Sequence, residues 1–222
     1  MSEKSDNFIN IEKIRKSLHD KDERILEINI EYPQTEASDI PIINEKINCF
    51  YKKVAENYVD YCETKLRKKI IGSRNGNKDF RPYGEIMKCI ITYSDSDYLS
   101  ILFEITHFNG YFKRTSRMNH TWSLKKGIIL PVGYFLKKMN KGEKQLRGEI
   151  GKKIFESVSG KETDFSYSEK SVAAYAMKAD LSHFFLCRNG IAFWFDPGTL
   201  APENEGFPAF VIPFSVKQNE LS

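Results

Sequence analysis

The side chains in this sequence best suited to acid–base or metal chemistry are the four histidines, His19, His107, His120 and His183. They are scattered, and none belongs to an HxxxH or HExxH pair that would place two ligands on one helix face. A metal site needs three ligands from the protein, and the sequence does not show such a set. We therefore expect no metal and no other cofactor.

One histidine has a candidate acidic partner near the carboxyl end of the chain. The dipeptide Asn189-Gly190 is typical of a two-residue hairpin turn, and such a turn would place His183 opposite Asp196. A histidine oriented by a carboxylate is half of a hydrolytic triad. Since no GxSxG motif supplies the nucleophile, the pair is either a structural hydrogen bond or part of a hydrolase site.

A second group of candidates lies between residues 107 and 117, where histidine, amide, aromatic and arginine side chains follow one another. Such side chains can hold a ligand by hydrogen bonds and stacking without catalysing a reaction. The aromatic hairpin near the carboxyl end offers one further contact if one of its faces is exposed. The predicted ligand-binding residues are His107, Asn109, Tyr111, Arg114, Arg117 and Trp194.

Composition limits the class of protein. The 222 residues are 41% hydrophobic, which is enough for a substantial core without disulfides or metals. The four cysteines show no CxxC spacing and are predicted to be reduced thiols. The net charge of +4 is mild, and the basic run at residues 137–153 is predicted to be a solvated helix face. Nucleic-acid binding is not expected, because the aromatics lie mostly outside that run.

The amino-terminal residues are polar and mixed in charge, without the apolar run of an export signal. No later segment approaches the ~20 apolar residues of a membrane span. As written, the sequence predicts a cytoplasmic protein without a membrane span. It would be extracytoplasmic if an export signal had been removed, and the oligomeric state is left open.

Hydrophobic periodicity predicts the elements of an α+β fold. Residues 24–32 alternate as a half-buried strand that ends at Pro33, and from Ile42 the apolar period becomes that of a single long amphipathic helix. The expected inner face of this helix comprises Ile43, Ile47, Phe50 or Tyr51, Val54, Tyr58, Tyr61 or Cys62, and Leu66. Ser38 or Asp39 is predicted to cap its amino terminus.

Three further strands, at residues 85–94, 98–108 and 111–124, predict an antiparallel meander packed by that helix. A second helix is expected to bury Leu146, Ile150, Ile154 and Val158, and a short third helix precedes the aromatic hairpin. The hairpin and the strand at residues 209–214 predict a second sheet near the carboxyl terminus. The predicted domains are a polar segment 1–23, a strand–helix–hairpin module 24–110, a carboxy-terminal domain 111–216 that forms one compact unit with that module, and a tail 217–222.

Two stretches carry a family resemblance. FFLCRNGIAFWFDPGTLAP, followed by GFPAFVIPFS, resembles the carboxy-terminal domain of the RsiV-type anti-sigma factors. EINIEYPQTEASDIPIINEKINCFYKK is similar to the small module that precedes this domain in those proteins and that also occurs in PdaC-type peptidoglycan deacetylases.

This resemblance implies an α+β fold and a binding module rather than an enzyme. The best understood RsiV-type domains are extracytoplasmic sensors that bind lysozyme, so the implied partner is a protein or a peptidoglycan fragment at the bacterial cell envelope. The alternative from a different class is a hydrolase acting on cell-wall sugar or ester through His183 and Asp196.

Overall fold

The computed structural model describes residues 9–74, 79–158, 169–200 and 202–214 of the chain. These residues form two compact units, Met1–Ile129 and Leu130–Ser222. The predicted α+β class is confirmed, with one sheet and a long helix in the first unit and a second sheet in the other. The predicted tail 217–222, the first eight residues and the side chain of Val158 lie outside the described part.

The first unit is built on a six-stranded sheet whose strands are neighbours in chain order. All adjacent strands are antiparallel except β2 and β3, which are parallel and are joined by the helical segment between them. The strands are β1 (Ile9–Asp20), β2 (Glu23–Thr35), β3 (Tyr83–Ser94), β4 (Tyr98–Phe108), β5 (Lys113–Ser123) and β6 (Ile128–Ile129).

Strand β1 corrects the prediction that residues 1–23 are only a polar segment. It pairs with β2 from Ile9↔Thr35 to Asp20↔Glu23, and the turn between them has positive φ at both Lys21 (48°) and Asp22 (67°). That geometry is typical of a two-residue hairpin turn, although it usually requires Asn or Gly. Strand β2 continues past Pro33 to Thr35. Proline has no backbone N–H to donate, and it is tolerated here because β3 pairs with β2 only as far as Ile30.

One helical segment covers a face of this sheet. It comprises α1 (Pro41–Tyr61), a π-helical turn (Cys62–Leu66) and α2 (Arg67–Arg74), where the sequence predicted a single uninterrupted helix. The buried stripe of α1 is Ile43, Ile47, Tyr51, Ala55 and Val59, so the predicted core positions Val54 and Tyr58 are only half-buried.

The start of α1 differs from the predicted cap. The capping position is Ile40, which has no side-chain cap, and Pro41 lies in the first turn as expected. Asn44 instead binds the loop, because its side chain accepts a hydrogen bond from the backbone N–H of Ser38 and donates one to its carbonyl.

The second unit contains α3 (Val132–Lys138), α4 (Glu143–Val158) and α5 (Glu169–Lys178), followed by a three-stranded antiparallel sheet of β7 (Phe184–Cys187), β8 (Gly190–Trp194) and β9 (Ala209–Pro213). Leu146, Ile150 and Ile154 are fully buried on α4, as predicted. Strand β8 is central and all five of its residues are buried, which agrees with a hairpin that is apolar on both faces.

The β7–β8 register differs from the predicted one by two residues. The turn is Arg188–Asn189, so Leu186 pairs with Ile191 rather than with Phe193. Gly190 is already in the strand, with φ of 152°, and a Cβ there would clash with the carbonyl oxygen of Ile212 on β9. The glycine is therefore required by the close approach of β9 rather than by the turn.

Among the residues that the structure describes, three of the seven basic residues in the run at 137–153 form ion pairs within the second unit. Lys141 contacts Glu149 at 2.6 Å, and Lys153 contacts Glu156 at 3.1 Å. Arg147 bonds Glu143 and also donates to the carbonyls of Ala176, Met177 and Ala179, which caps the carboxyl end of α5. The other basic residues, Lys137, Lys138, Lys144 and Lys152, are exposed, as predicted for a solvated helix face.

The boundary between the compact units lies at 129/130, whereas the sequence-based boundary at 110/111 lies between β4 and β5. These two strands are paired from Tyr98↔Ser123 to Phe108↔Lys113, so that position is inside one sheet. Among the helices that the structure describes, none has both the length and the apolar content to cross a bilayer.

Candidate functional site

A buried carboxylate lies at one end of the helix-covered face of the first sheet. Glu85 on β3 is 4% exposed, and its Oε2 accepts two hydrogen bonds. The hydroxyl of Tyr58 on α1 donates the first at 2.6 Å, and Nδ1 of His107 on β4 donates the second at 2.6 Å. A buried carboxylate requires such partners because desolvation of an unpaired charge is costly.

The surroundings of this carboxylate shift the acidity of its neighbours. Burial raises the pKa of Tyr58, and the hydrogen bond to Glu85 raises it further. Burial also raises the pKa of the Cys62 thiol to about 12, with the charge of Glu85 as the second cause. Cys62 begins the π-helical turn, a rare feature that occurs frequently at functional sites.

Strand register extends this arrangement across three strands. Glu85 is the cross-strand partner of His107, and His107 is the partner of Arg114 on β5. Directly opposed residues share a face, so these three side chains form one row. The row passes from a buried acid through a histidine side chain that is 48% exposed to an exposed arginine.

The hairpin that joins β4 to β5 has a rigid turn beside this row. The Asn109 side-chain oxygen accepts hydrogen bonds from the backbone N–H groups of Tyr111 (3.1 Å) and Phe112 (2.8 Å). Gly110 has φ of 89°, and a Cβ there would lie 2.7 Å from the backbone oxygen of Arg81. The Tyr111 hydroxyl donates to the backbone carbonyl of Asp79. The turn is therefore anchored to the segment that precedes β3.

Exposed aromatic side chains surround that turn. Phe112 is 77% exposed, Tyr111 49% and Phe108 38%. The guanidinium of Arg81 lies 5.1 Å from the centre of the Tyr111 ring, and Lys113 follows directly in β5. We call Phe108, Tyr111, Phe112 and Arg81 the hairpin tip. Exposed aromatics with cations beside them are typical of interaction surfaces.

Two predicted site residues lie elsewhere. Arg117 is on the opposite face of β5 from Arg114, where its Nε and Nη2 bond Oε1 of Glu104 at 3.0 and 2.6 Å. Trp194 is in the second unit and is only 3% exposed, so it is a core residue rather than an accessible contact. Of the six predicted ligand-binding residues, the structure brings together His107, Asn109, Tyr111 and Arg114.

The predicted pairing of His183 with Asp196 is wrong. Because the hairpin register differs by two residues, the carbonyl of His183 accepts a hydrogen bond from the backbone N–H of Trp194. Its ring stacks on the Trp194 ring at 3.9 Å, and its Nε2 lies 3.6 Å from Oδ2 of Asp180. The geometry required for a His183–Asp196 hydrolase site is therefore not formed.

Neither Glu85 nor the hydrogen bond that it receives from Tyr58 was predicted from the sequence. The alternation in β3 does contain a signal, because Glu85 occupies the same face as Met87 and Cys89, which are buried. A charged residue on the apolar face of a strand is more informative than an exposed one. The contribution of Tyr58 could not be found in this way, since it depends on how α1 packs on the sheet.

A second polar network lies under the middle of α1. Trp122 Nε1 donates to the Tyr51 hydroxyl at 2.7 Å, and that hydroxyl lies 3.2 Å from Nδ1 of His120. Tyr51 and Trp122 are 1% and 3% exposed, and the rings of Phe50 and Phe103 pack around them. Burial raises the pKa of Tyr51 and lowers the pKa of His120. This network belongs to the core.

Two further candidates do not form sites. An open groove of about 580 Å³ near the start of α1 is lined by Asn44 and Asn48, and the Asn48 side chain is engaged with the backbone N–H and carbonyl of Thr35. Within the described ranges, no three His, Cys, Asp or Glu side chains converge in a way that could hold a metal ion.

Comparisons with known proteins identify the fold. No protein-family model and no curated protein matches the chain. A DUF3298 family member from Bacteroides fragilis aligns over 94% of this chain and 91% of its own, with a TM-score of 0.63 and 14% identity. A DUF3298 family protein from Pseudomonas aeruginosa aligns over 94% and 92%, with a TM-score of 0.56 and 11% identity. The chain therefore shares its fold with proteins of an uncharacterised domain family.

Proposed function

We propose that this chain is a non-catalytic recognition module that binds a protein through the hairpin tip. The observation that carries the proposal is the exposure of Phe112 and Tyr111 on a turn anchored by Asn109 and Gly110. A preorganised aromatic surface loses little conformational entropy on binding. Aromatic and arginine side chains are also the residues that contribute most to protein interfaces.

The positive charges beside the hairpin tip indicate which kind of partner surface it would bind. Arg81 lies against Tyr111, and Lys113 and Arg114 follow the tip in β5. Cations at the rim of an interface favour a partner that presents acidic groups and raise the association rate at low salt. We therefore propose a partner surface with an apolar centre and an acidic edge.

The resemblance to RsiV-type sensor domains extends the proposal to the bacterial cell envelope. It makes lysozyme the first protein to test and a soluble peptidoglycan fragment the competing ligand. Because lysozyme is itself basic, the proposal requires a local acidic patch on the lysozyme surface that faces the tip. The hydrolase alternative has less support, because its two proposed catalytic side chains, His183 and Asp196, do not meet.

The test is calorimetric titration of the purified protein with lysozyme and, separately, with soluble peptidoglycan fragments. Phe112→Ser removes the most exposed aromatic of the tip. Ile42→Ser is the matched control, since Ile42 is 71% exposed at the start of α1. The proposal expects saturable lysozyme binding that Phe112→Ser weakens about tenfold or more and Ile42→Ser leaves unchanged.

Three results would contradict parts of this proposal. Binding of peptidoglycan alone would replace a protein partner with a carbohydrate one. Binding that Phe112→Ser does not change would move the surface away from the tip. Release of soluble fragments from peptidoglycan by the purified protein would contradict the non-catalytic assignment.

A further inference from the structure

The row formed by Glu85, His107 and Arg114 has hydrogen-bonding capacity that the described fold does not use. Glu85, which also accepts a hydrogen bond from Tyr58, fixes the His107 ring through its Nδ1, and this turns Nε2 away from the carboxylate. The His107 side chain is 48% exposed. Arg114, its cross-strand partner, forms no hydrogen bond or ion pair with any residue within the described ranges.

From this geometry we infer that His107 and Arg114 form a binding site for an oxyanion, carried by a carboxylate or by a phosphate or sulfate group. Arg114 supplies a planar set of N–H donors that matches two oxygens of such a group. His107 supplies a third donor from the neighbouring strand, where opposed side chains lie about 5 Å apart at Cβ. The site does not depend on protein recognition at the hairpin tip.

The oriented histidine makes binding depend on protonation. Nδ1 already donates to Glu85, so a neutral ring presents an unprotonated Nε2, which is an acceptor. An oxyanion is also an acceptor, and it can bond Nε2 only after that nitrogen gains a proton. Binding is therefore linked to uptake of a proton, and the oxyanion binds more tightly as the pH falls.

Several other groups face His107 from the elements packed around it, and each bears on that pH dependence. A protonated His107 ring and the neighbouring guanidinium of Arg114 carry like charges and repel each other. An oxyanion between His107 and Arg114 offsets that repulsion. Glu85 bonds the ring directly, Arg114 is its cross-strand partner, and Tyr58 donates to the same carboxylate oxygen. Cys62 also lies within the electrostatic influence of Glu85.

The test is an NMR titration of the histidine ring signals of the full chain with acetate and, separately, with sulfate, at about pH 6 and about pH 8. Acetate represents a carboxylate and sulfate represents a tetrahedral oxyanion. Comparing the two titrations therefore shows which kind of oxyanion the site prefers. We expect the His107 signal to move saturably with at least one probe, and with several-fold higher affinity at the lower pH.

Matched variants show whether the anion binds at His107 and Arg114 or is attracted only by the positive charge of the surface. Arg114→Gln is expected to weaken binding about tenfold, since a charge-assisted bond is lost. Lys113→Gln removes an adjacent exposed cation from the opposite face of β5 and is expected to change affinity less than about twofold. His107→Gln is expected to abolish the pH dependence and to identify the shifting signal.

The inference is overturned if the His107 signal does not respond to either anion. It is also overturned if affinity is equal at both pH values, or if Lys113→Gln weakens binding as much as Arg114→Gln. Phe112→Ser should leave anion binding intact, so a failure of the hairpin tip as a recognition surface and a failure of this site give different results.

Discussion

Helix α1 contributes a tyrosine to each of two polar networks on the same face of the first sheet. Tyr51 meets Trp122 and His120 within a cluster of aromatic rings. Tyr58, two helical turns later, meets Glu85, which in turn holds His107. Both networks pair a helix tyrosine with a strand histidine. The first is enclosed at Tyr51 and Trp122, with His120 half-buried, whereas the second ends at a histidine side chain that is 48% exposed.

The difference shows how burial separates a structural network from a candidate binding site. In the enclosed network the Tyr51 hydroxyl accepts a hydrogen bond from Trp122 and can donate one to His120. Both hydrogen bonds of this hydroxyl are therefore made within the protein. In the open network the buried carboxylate is satisfied, but the chain of contacts ends at an exposed ring next to Arg114.

The largest decrease in the free energy of unfolding is expected when a side chain of the enclosed network is truncated. Trp122→Ala removes a side chain that is 3% exposed and should lower the free energy of unfolding by about 3–5 kcal/mol. Urea denaturation measures this change. The comparison variant His107→Ala should cost about 1–3 kcal/mol, because it removes one of two donors to buried Glu85 while Tyr58 still donates. A cost equal to that of Trp122→Ala would contradict the assignment of the open network to binding.

Removal of single hydroxyl groups gives a finer comparison. Tyr51→Phe leaves the buried N–H of Trp122 without its acceptor and should cost about 1–3 kcal/mol in urea denaturation. Tyr58→Phe should cost less, because His107 still donates to Glu85 and Tyr58 is only half-buried. If Tyr58→Phe were the more destabilising change, the open network would be the stronger structural element.

The enclosed histidine predicts how stability depends on pH. Burial lowers the pKa of His120, so the unfolded chain binds a proton at this residue more readily than the folded protein does. Its stabilising contribution is complete above the unfolded pKa of about 6.5 and is lost as the pH falls from there through the folded pKa.

Urea midpoints at about pH 7.5 and about pH 5 measure this loss. The substitution His120→Gln keeps an oxygen that can accept from Tyr51 and should make the decrease smaller. An unchanged decrease in this variant would assign the pH dependence to other groups.

The smallest change in the free energy of unfolding is expected at Arg114, where the open network ends at the surface. Arg114→Gln should change the free energy of unfolding by less than about 0.5 kcal/mol, because the side chain is exposed. Thermal and urea unfolding of the variant provide the measurement. A loss above about 1 kcal/mol would make Arg114 a structural residue and would weaken its role in oxyanion binding.

Much of the fold could be predicted from local patterns. The alternation of Leu26, Ile28 and Ile30 predicted β2, and the spacing of Ile43 and Ile47 predicted the buried stripe at the start of α1. These predictions succeed because the period of burial is a property of each element by itself. Strand β1 was missed because its turn at Lys21 and Asp22 lacks the residues that usually signal positive φ.

The candidate site could be predicted only in part. Asn109, Tyr111 and the His107–Arg114 neighbourhood follow from a turn flanked by two strands, and the sequence shows both strands. Arg117 was predicted to belong to the same site because it is close in sequence, but it lies on the other face of β5, where it bonds Glu104. Trp194 was predicted to be accessible, but its central strand is covered on both faces.

The sequence by itself determined the α+β class and the order of most elements. Only the tertiary structure decided that Glu85 lies between Tyr58 and His107, and that His183 stacks on Trp194 instead of meeting Asp196. The physical reason is that periodicity is local, whereas register and helix placement depend on contacts between distant residues. Gly190 illustrates this, because its role depends on the approach of Ile212 from a strand that follows later in the chain.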